Sequence, residues 1–332
     1  MTTTMQQKRY EFILEAREPI SHAEGTIGNT SVVMRQRVRQ PDGTFAHVPI
    51  ITGDTMRHGL REAASYALLD AAGMIGDTLT ESALRLLFAG GMITGSAGGS
   101  VKLDEYRDMV DLMPALALLG GCAQNRVIPG RIHVAPAVLV CAETEHLTPA
   151  WVLEWMREQK TAVATSRAHI EHVQRVRMDP TLDPGKRLLL TPGARASAEQ
   201  RLLASESAGE EGDAVGKEKA KSTMLPFTYE RVAQGSLFFW SLSATCYGDL
   251  DHDALMVMLA AFLRHAVVGG KKGTGHGHIA PVAAKDVTIA RYSERTDTFE
   301  LVGPEGAIGQ RFRAHVAERA DRLREFLGRV CA

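Results

Sequence analysis

"GSLFFWSLSATCYG", residues 235–248, is the most strand-like stretch of the chain. It runs directly into "DLDHDALMVMLAAFLRHA" (249–266). That second stretch reads as a helix. Asp249, Asp251 and Asp253 cap its start, and Arg264 and His265 lie in its last turn, charges suited to the two ends of a helix dipole. A glycine-rich loop follows, and "GHIAPVAAKDVTIARY" (277–292) returns as a strand or a pair of strands.

Working towards the amino terminus, "KRYEFILEAR" (8–17) reads as a strand with Tyr10, Phe12 and Leu14 on one face. "SHAEGTIGNT" (21–30) is a turn-rich loop, and "SVVMRQRVR" (31–39) is an edge strand with alternating arginines. After "PIITGD" the spacing predicts a helix capped by Thr52 or Asp54, with Met56, Leu60, Ala63, Ala64, Ala67 and Leu68 as its apolar stripe. Arg57 and Arg61, one turn apart, then share an exposed face. "RIHVAPAVLVCAE" (131–143) is a further core strand.

Stripped of insertions, the order is strand, helix, strand, strand, helix, strand. That is the split βαβ pattern of ferredoxin-like α+β domains, with one antiparallel sheet and two helices. The core is expected at 1–70, 131–143 and 225–292. A helical insertion occupies 71–130. A second insertion, 144–224, starts as a helix at "TPAWVLEWMREQ" and turns basic in "SRAHIEHVQRVRMD"; its part 179–222 reads as a mobile excursion. An amphipathic C-terminal helix falls within 293–332.

Of the 332 residues, 45% are hydrophobic and 23% charged, which predicts a packed core. No run of ~18 uncharged apolar residues is present, so no membrane span is expected. The amino terminus lacks a signal-peptide pattern. Cys122, Cys141, Cys246 and Cys331 lie far apart, unlike a disulfide framework or a cysteine zinc site. A cytoplasmic protein is the expectation. Net charge is −1, but it is uneven: residues 35–61 hold five arginines against Asp42 and Asp54, and 157–201 hold nine Lys or Arg against five acids. A neutral total can therefore hide a basic stripe.

"HAVVGGKKGTGHGHIAPV" (265–282) packs five glycines beside Lys271 and Lys272. Neither a Walker A loop nor a dinucleotide fingerprint fits its order and context. What survives is bare backbone that admits a phosphate, with lysines to neutralise it, against a plain helix cap and solvated turn. His276 and His278 invite a metal, but zinc usually takes three or four protein ligands, and no H-E-x-x-H or aspartate cluster is present, so no metal and no cofactor is expected. The basic segment holding Arg167, His169, Arg175, Arg177, Lys186 and Arg187 is either a solvated helix face or a clamp on a phosphate backbone. No G-x-S-x-G and no persuasive catalytic constellation is found, and the chain is expected not to be an enzyme.

Three segments together carry a resemblance. "VPIITGDTMRHGLREAA" (48–64) resembles the strand–turn–helix signature of the repeat-associated mysterious proteins of CRISPR systems. "FTYERVAQGSLFFWSL" (227–242) is similar to the segment entering their third core strand, and "GGKKGTGHGHI" (269–279) to their glycine-rich loop. Order and spacing resemble most the backbone subunit, the Cas-seven family, in its type IV version.

That resemblance implies an RNA-recognition-like (RRM-like) core with a thumb-like insertion. Copies would stack as a helical filament along one guide RNA. It implies as partners a five-family-like cap subunit, a large subunit, a guide-processing endonuclease, and a target nucleic acid paired to the guide. The RNA-holding residues it suggests are Arg57, His58 and Arg61, with Arg35 and Arg37. They include Lys271, Lys272, Gly273, Thr274, Gly275, His276 and His278 in the loop, and Arg167, Arg175 and Arg177 near the thumb. RNA-cleaving relatives carry an aspartate after the first strand; here Asn29 in "EGTIGNTSVV" (24–33) stands in that stretch, which implies binding without cutting. A metal-dependent ribonuclease using Glu24 or Asp42, and a nucleotide enzyme built on the glycine loop, are the competing readings.

Overall fold

The computed structural model describes residues 5–91, 102–123, 126–175, 180–207, 227–285, 291–293, 298–300 and 305–330. The chain forms two compact units. One comprises the described residues of Met1–Gly25, Val33–Glu171 and Arg231–Ala332, and the other those of Thr26–Val32 and His172–Glu230.

From the amino end the elements are β1 (Met5–Ala16), β2 (Ala23–Ile27), β3 (Thr30–Val33), β4 (Arg35–Arg39) and β5 (Phe45–Ile51), then the long helix α1 (Gly53–Ala71). Helices α2 (Glu81–Ala89), α3 (Leu103–Leu112) and α4 (Pro114–Leu119) precede a small hairpin, β6 (Gly121–Ala123) with β7 (Arg126–Ile128). Two short strands, β8 (Ile132–Val134) and β9 (Ala137–Leu139), lead to α5 (Ala150–Glu158) and β10 (Ile170–Arg175). Next come α6 (Pro184–Arg187), α7 (Pro192–Ser207), β11 (Phe227–Val232), β12 (Leu237–Tyr247), α8 (Asp249–Arg264) and β13 (Ile279–Lys285). The pair β14 (Arg291–Ser293) and β15 (Thr298–Glu300) and the helices α9 (Glu305–Glu318) and α10 (Ala320–Val330) complete the described chain.

The main sheet runs β13-β1-β12-β9-β5-β4, with β8 also on β12, and every pairing recorded in it is antiparallel. With β8 and β9 as one interrupted strand, its centre is the ferredoxin-like order, extended outward by β5 and β4. The strand expected over 131–143 breaks between Val134 and Ala137, where the Ala135 carbonyl accepts the Trp240 indole N–H at 3.1 Å. The α+β, ferredoxin-like core with helical insertions is thus the fold observed.

Alternation makes β12 a core strand. Phe238, Trp240, Leu242, Ala244 and Cys246 are buried on one face. They pair with β1 in the register Leu14↔Phe238, Phe12↔Trp240 and Tyr10↔Leu242, so the face expected of Tyr10, Phe12 and Leu14 is the core face. Phe12 and Trp240 stack with centroids 5.2 Å apart, and Phe262 of α8 meets Trp240 edge-on at 5.9 Å. Burying each such ring contributes ~2–3 kcal/mol. A Cβ on Gly59 of α1 would stand 2.5 Å from the Phe262 ring, so glycine there lets α1 and α8 approach closely.

Part of the opposite face of the sheet is covered too. Ile13, Val140 and Leu237 pack with Val152 and Met156 of α5 and with Trp151 and Trp155. The Trp151 indole N–H donates to Glu11 Oε2 at 2.9 Å.

Several sequence expectations need correction. The strand predicted over 31–39 divides at Met34. Its first part, β3, belongs to the sheet β10-β11-β3-β2 on which the second unit is built, whereas β4 is an edge of the main sheet as expected. The basic segment read as the continuation of a helix is a 3-10 turn, Ser166–His169, followed by β10. The aspartates of α8 are not its caps: Asp251 is buried against Arg131 and accepts the Tyr247 N–H at 2.7 Å, and Asp253 takes Arg311 of α9 at 2.7 and 2.8 Å. The single C-terminal helix is two, α9 and α10. Among the described residues no helix is long and apolar enough to cross a membrane.

Candidate nucleic-acid interface

The glycine loop is fixed at its base and bare at its tip. Val268 N–H donates to Gly277 O and Ile279 N–H to Ala266 O, both at 2.9 Å, which zips the two legs together. Gly270 N–H donates to Ser21 O at 2.7 Å and Gly277 N–H to Pro19 O at 3.0 Å, which sews the loop to the segment after β1. Gly269 (φ +76°) and Gly277 (φ +98°) make this possible: a Cβ would lie 2.7 Å from Ser21 O at the first and 2.1 Å from Val268 O at the second. At Gly273 and Gly275 a Cβ would meet nothing within 4 Å. Residues 270–275, holding Lys271, Lys272, Gly273, Thr274 and Gly275, are all exposed.

Lys271 sits in the left-handed region at φ +61°. A long side chain there costs of order 1 kcal/mol or more, a strain that clusters at functional positions. Below the tip, His276 is only 2% exposed. Its Nδ1–H donates to Thr274 O at 3.1 Å, which leaves Nε2 to accept from Arg231 at 3.5 Å. The phosphate-holding role expected of His276 is therefore corrected: the ring braces the loop from beneath. His278 is half-buried, and its backbone N–H donates to Glu18 Oε2 at 3.3 Å.

Lys272 also lines a cleft of about 470 Å³ with His22, Asp54, Thr55, His58, Gly59, Val267 and Gly269. Here the loop meets the amino end of α1. Thr52 caps that end, its Oγ1 accepting the Thr55 N–H at 3.3 Å. Gly53 is required because a Cβ would lie 2.6 Å from Val134 O, so the "TGD" turn seats α1 on the β8–β9 link. The helix dipole and His58 favour an anion in this cleft, and Asp54 opposes one. His22, which the sequence pattern did not single out, accepts the Thr52 N–H through Nε2 at 3.4 Å. Burial holds its pKa below the ordinary histidine value.

Arg57 and Arg61 do not form the exposed face expected of them. Arg57 donates to Leu119 O and Arg61 to Gly120 O, carbonyls at the end of α4 that no helical N–H can satisfy. Arg61 is buried, and burial, with Arg57 beside it, lowers its pKa to about 10. Both arginines fasten α1 to α4.

The remaining candidates lie elsewhere. Arg35 and Arg37 are on β4, with the Arg37 guanidinium 3.7 Å over the Phe45 ring. Arg167 is exposed in the 3-10 turn, and Arg175 is exposed at the end of β10 in the second unit. Arg177 lies outside the described residues. Asn29 is in the turn between β2 and β3, its carbonyl accepting the Thr228 N–H at 3.2 Å. Glu24 and Asp42 are exposed, and the Asp42 carboxylate is held by Thr44 Oγ1 at 2.7 Å and Thr44 N–H at 2.9 Å. Among the described residues no group of three or more His, Cys, Asp or Glu side chains is placed to hold a metal ion.

No family model matches the chain. No curated protein matches it. A chain of the solved structure "Type IV-B CRISPR Complex" is similar to it, with a TM-score of 0.50 and 18% identity over 87% of this chain and 95% of that one. At that identity the likeness is one of fold, and it extends over nearly the whole of both chains.

Proposed function

We propose that this chain is a non-catalytic subunit of a multi-subunit CRISPR effector complex of the type IV kind, and that it holds the phosphates of a guide RNA. The observation that carries the reading is the glycine loop: a rigidly anchored base, an exposed tip of two lysines and open glycines, and Lys271 held in a strained conformation beside an anion-favouring cleft. The likeness of fold to a chain of a type IV-B CRISPR complex supports the setting. Phosphate contacts of this kind fix register without reading sequence, and specificity then comes from base pairing.

In this reading Lys271, Lys272 and His58 meet the phosphates, while Gly273, Thr274 and Gly275 let the backbone approach. Copies of the chain line up along one cytoplasmic guide, alongside the other effector subunits. The test is co-expression with a repeat transcript, followed by measurement of the RNA that purifies with the protein. Lys271→Ala with Lys272→Ala should lower bound RNA for all sequences alike and shallow the salt dependence by ~1.4 for two single-strand contacts. A protein that emerges free of RNA, or a loss confined to one sequence, contradicts it.

A further inference from the structure

The edge strand β4 carries a second basic surface away from the loop. Its register with β5, Arg37↔His47 and Arg39↔Phe45, sets Arg35, Arg37, Arg39, Phe45 and His47 on one face of the ribbon, while Val38 and Val48 of the other face are buried. Arg37, Arg39, Phe45 and His47 are exposed, and Phe45 is 50% accessible. Nothing lies beyond β4 in the sheet among the described residues. The strand end is pinned, because the Arg39 carbonyl accepts His146 Nε2–H at 3.0 Å. The Arg37 guanidinium carbon stands 3.7 Å from the centre of the Phe45 ring. Among the described residues neither Arg37 nor Arg39 meets a carboxylate.

We infer that this strip is a second contact for single-stranded nucleic acid, with phosphates on Arg39 and Arg37 and a base stacked on the Arg37–Phe45 pair. Residues two apart on a strand repeat every ~6.6 Å, a step that an extended phosphate backbone can follow. Positive charge beside an aromatic ring is the platform that single strands use, and every base has a face to stack. Contact with an acidic segment through charge alone does not call for the ring, whereas a base has a face to lay on it. The inference rests on the reading above only in that both sites serve one nucleic acid.

The test is binding of a fluorescent oligouridine to the full chain across a salt series. Arg37→Gln with Arg39→Gln should shallow the salt slope by ~1.4. Phe45→Leu should weaken binding roughly tenfold and leave the slope unchanged. Ultraviolet cross-linking should attach uridine to the peptide holding Phe45. Wild-type affinity in both variants, with Lys271→Ala and Lys272→Ala still weakened, overturns the strip alone. The reverse pattern overturns the loop alone. Equal binding of polyglutamate, lost in the arginine variant and kept in Phe45→Leu, would make the strip an acidic-protein surface and overturn the inference.

Discussion

Arg61 of α1 donates its guanidinium N–H to the carbonyl of Gly120, the residue that ends α4, and is itself 6% exposed. A cation placed so deep serves the fold. Arg61→Ala should therefore cost ~2–3 kcal/mol in urea unfolding, because it strands a buried carbonyl. Oligonucleotide affinity of the folded fraction should stay within about twofold of wild type. A stable variant with poor RNA binding would return Arg61 to the interface.

The loop glycines should separate into two kinds. Gly277→Ala and Gly269→Ala force a Cβ onto backbone oxygen at positive φ and should each cost at least ~2 kcal/mol. Gly273→Ala faces open space and should change stability by less than ~0.5 kcal/mol. Thermal unfolding of the three variants checks this, and equal losses would contradict it.

Lys271→Gly should stabilise the chain by up to ~1 kcal/mol while weakening oligonucleotide binding, since the left-handed backbone suits glycine and the charge is lost. Paired unfolding and binding curves test the trade. Loss of stability in this variant would mean that Lys271 is held by contacts worth more than its strain.

Asp251→Asn should cost ~3–5 kcal/mol, because it leaves the Arg131 guanidinium buried beside a neutral partner. Glu24, exposed, serves as a control: its alanine variant should fall within ~0.5 kcal/mol by the same urea assay. The wild type and Glu24→Ala should both leave target RNA intact with divalent metal present; cleavage that disappears in Glu24→Ala would restore the ribonuclease reading.

Acid should destabilise the protein before its carboxylates titrate. His22, His169 and His252 are all held below the ordinary histidine value near 6.5, in each case chiefly by burial. The unfolded chain thus binds more protons than the native one. Their contribution is fully present above about pH 6.5 and is lost as pH falls through the depressed native values. At His22 protonation also turns the acceptor of the Thr52 N–H into a donor. The midpoint of thermal unfolding should fall between about pH 7.5 and 5.5, and His22→Gln should flatten that fall. An unchanged slope in the variant would place the proton uptake elsewhere.

The sheet was legible where neighbours in sequence decide it. The alternation of β1 and β12, the apolar stripe of α1 and the density of glycines before β13 all read correctly. The misreadings share one cause. Arg57 and Arg61 look exposed because the carbonyls that claim them lie 62 and 59 residues on. Asp251 looks like a cap because Arg131 is 120 residues away. The helix expected beyond α5 fails for a similar reason, since the strand β10 exists only by pairing with β11. At the loop, the lysines and the open glycines were visible, but the burial of His276 depends on packing that no local pattern records.

Trp151 and Trp155 cover the sheet around Ile13, Val140 and Leu237, so among the described residues that stretch offers no table on which bases could lie flat. The two surfaces proposed above are peripheral: a loop at one place, a strand border at another. A thread held there by its phosphates, as proposed, would keep most of its letters turned outward, and the chain would be a spool indifferent to the message wound on it.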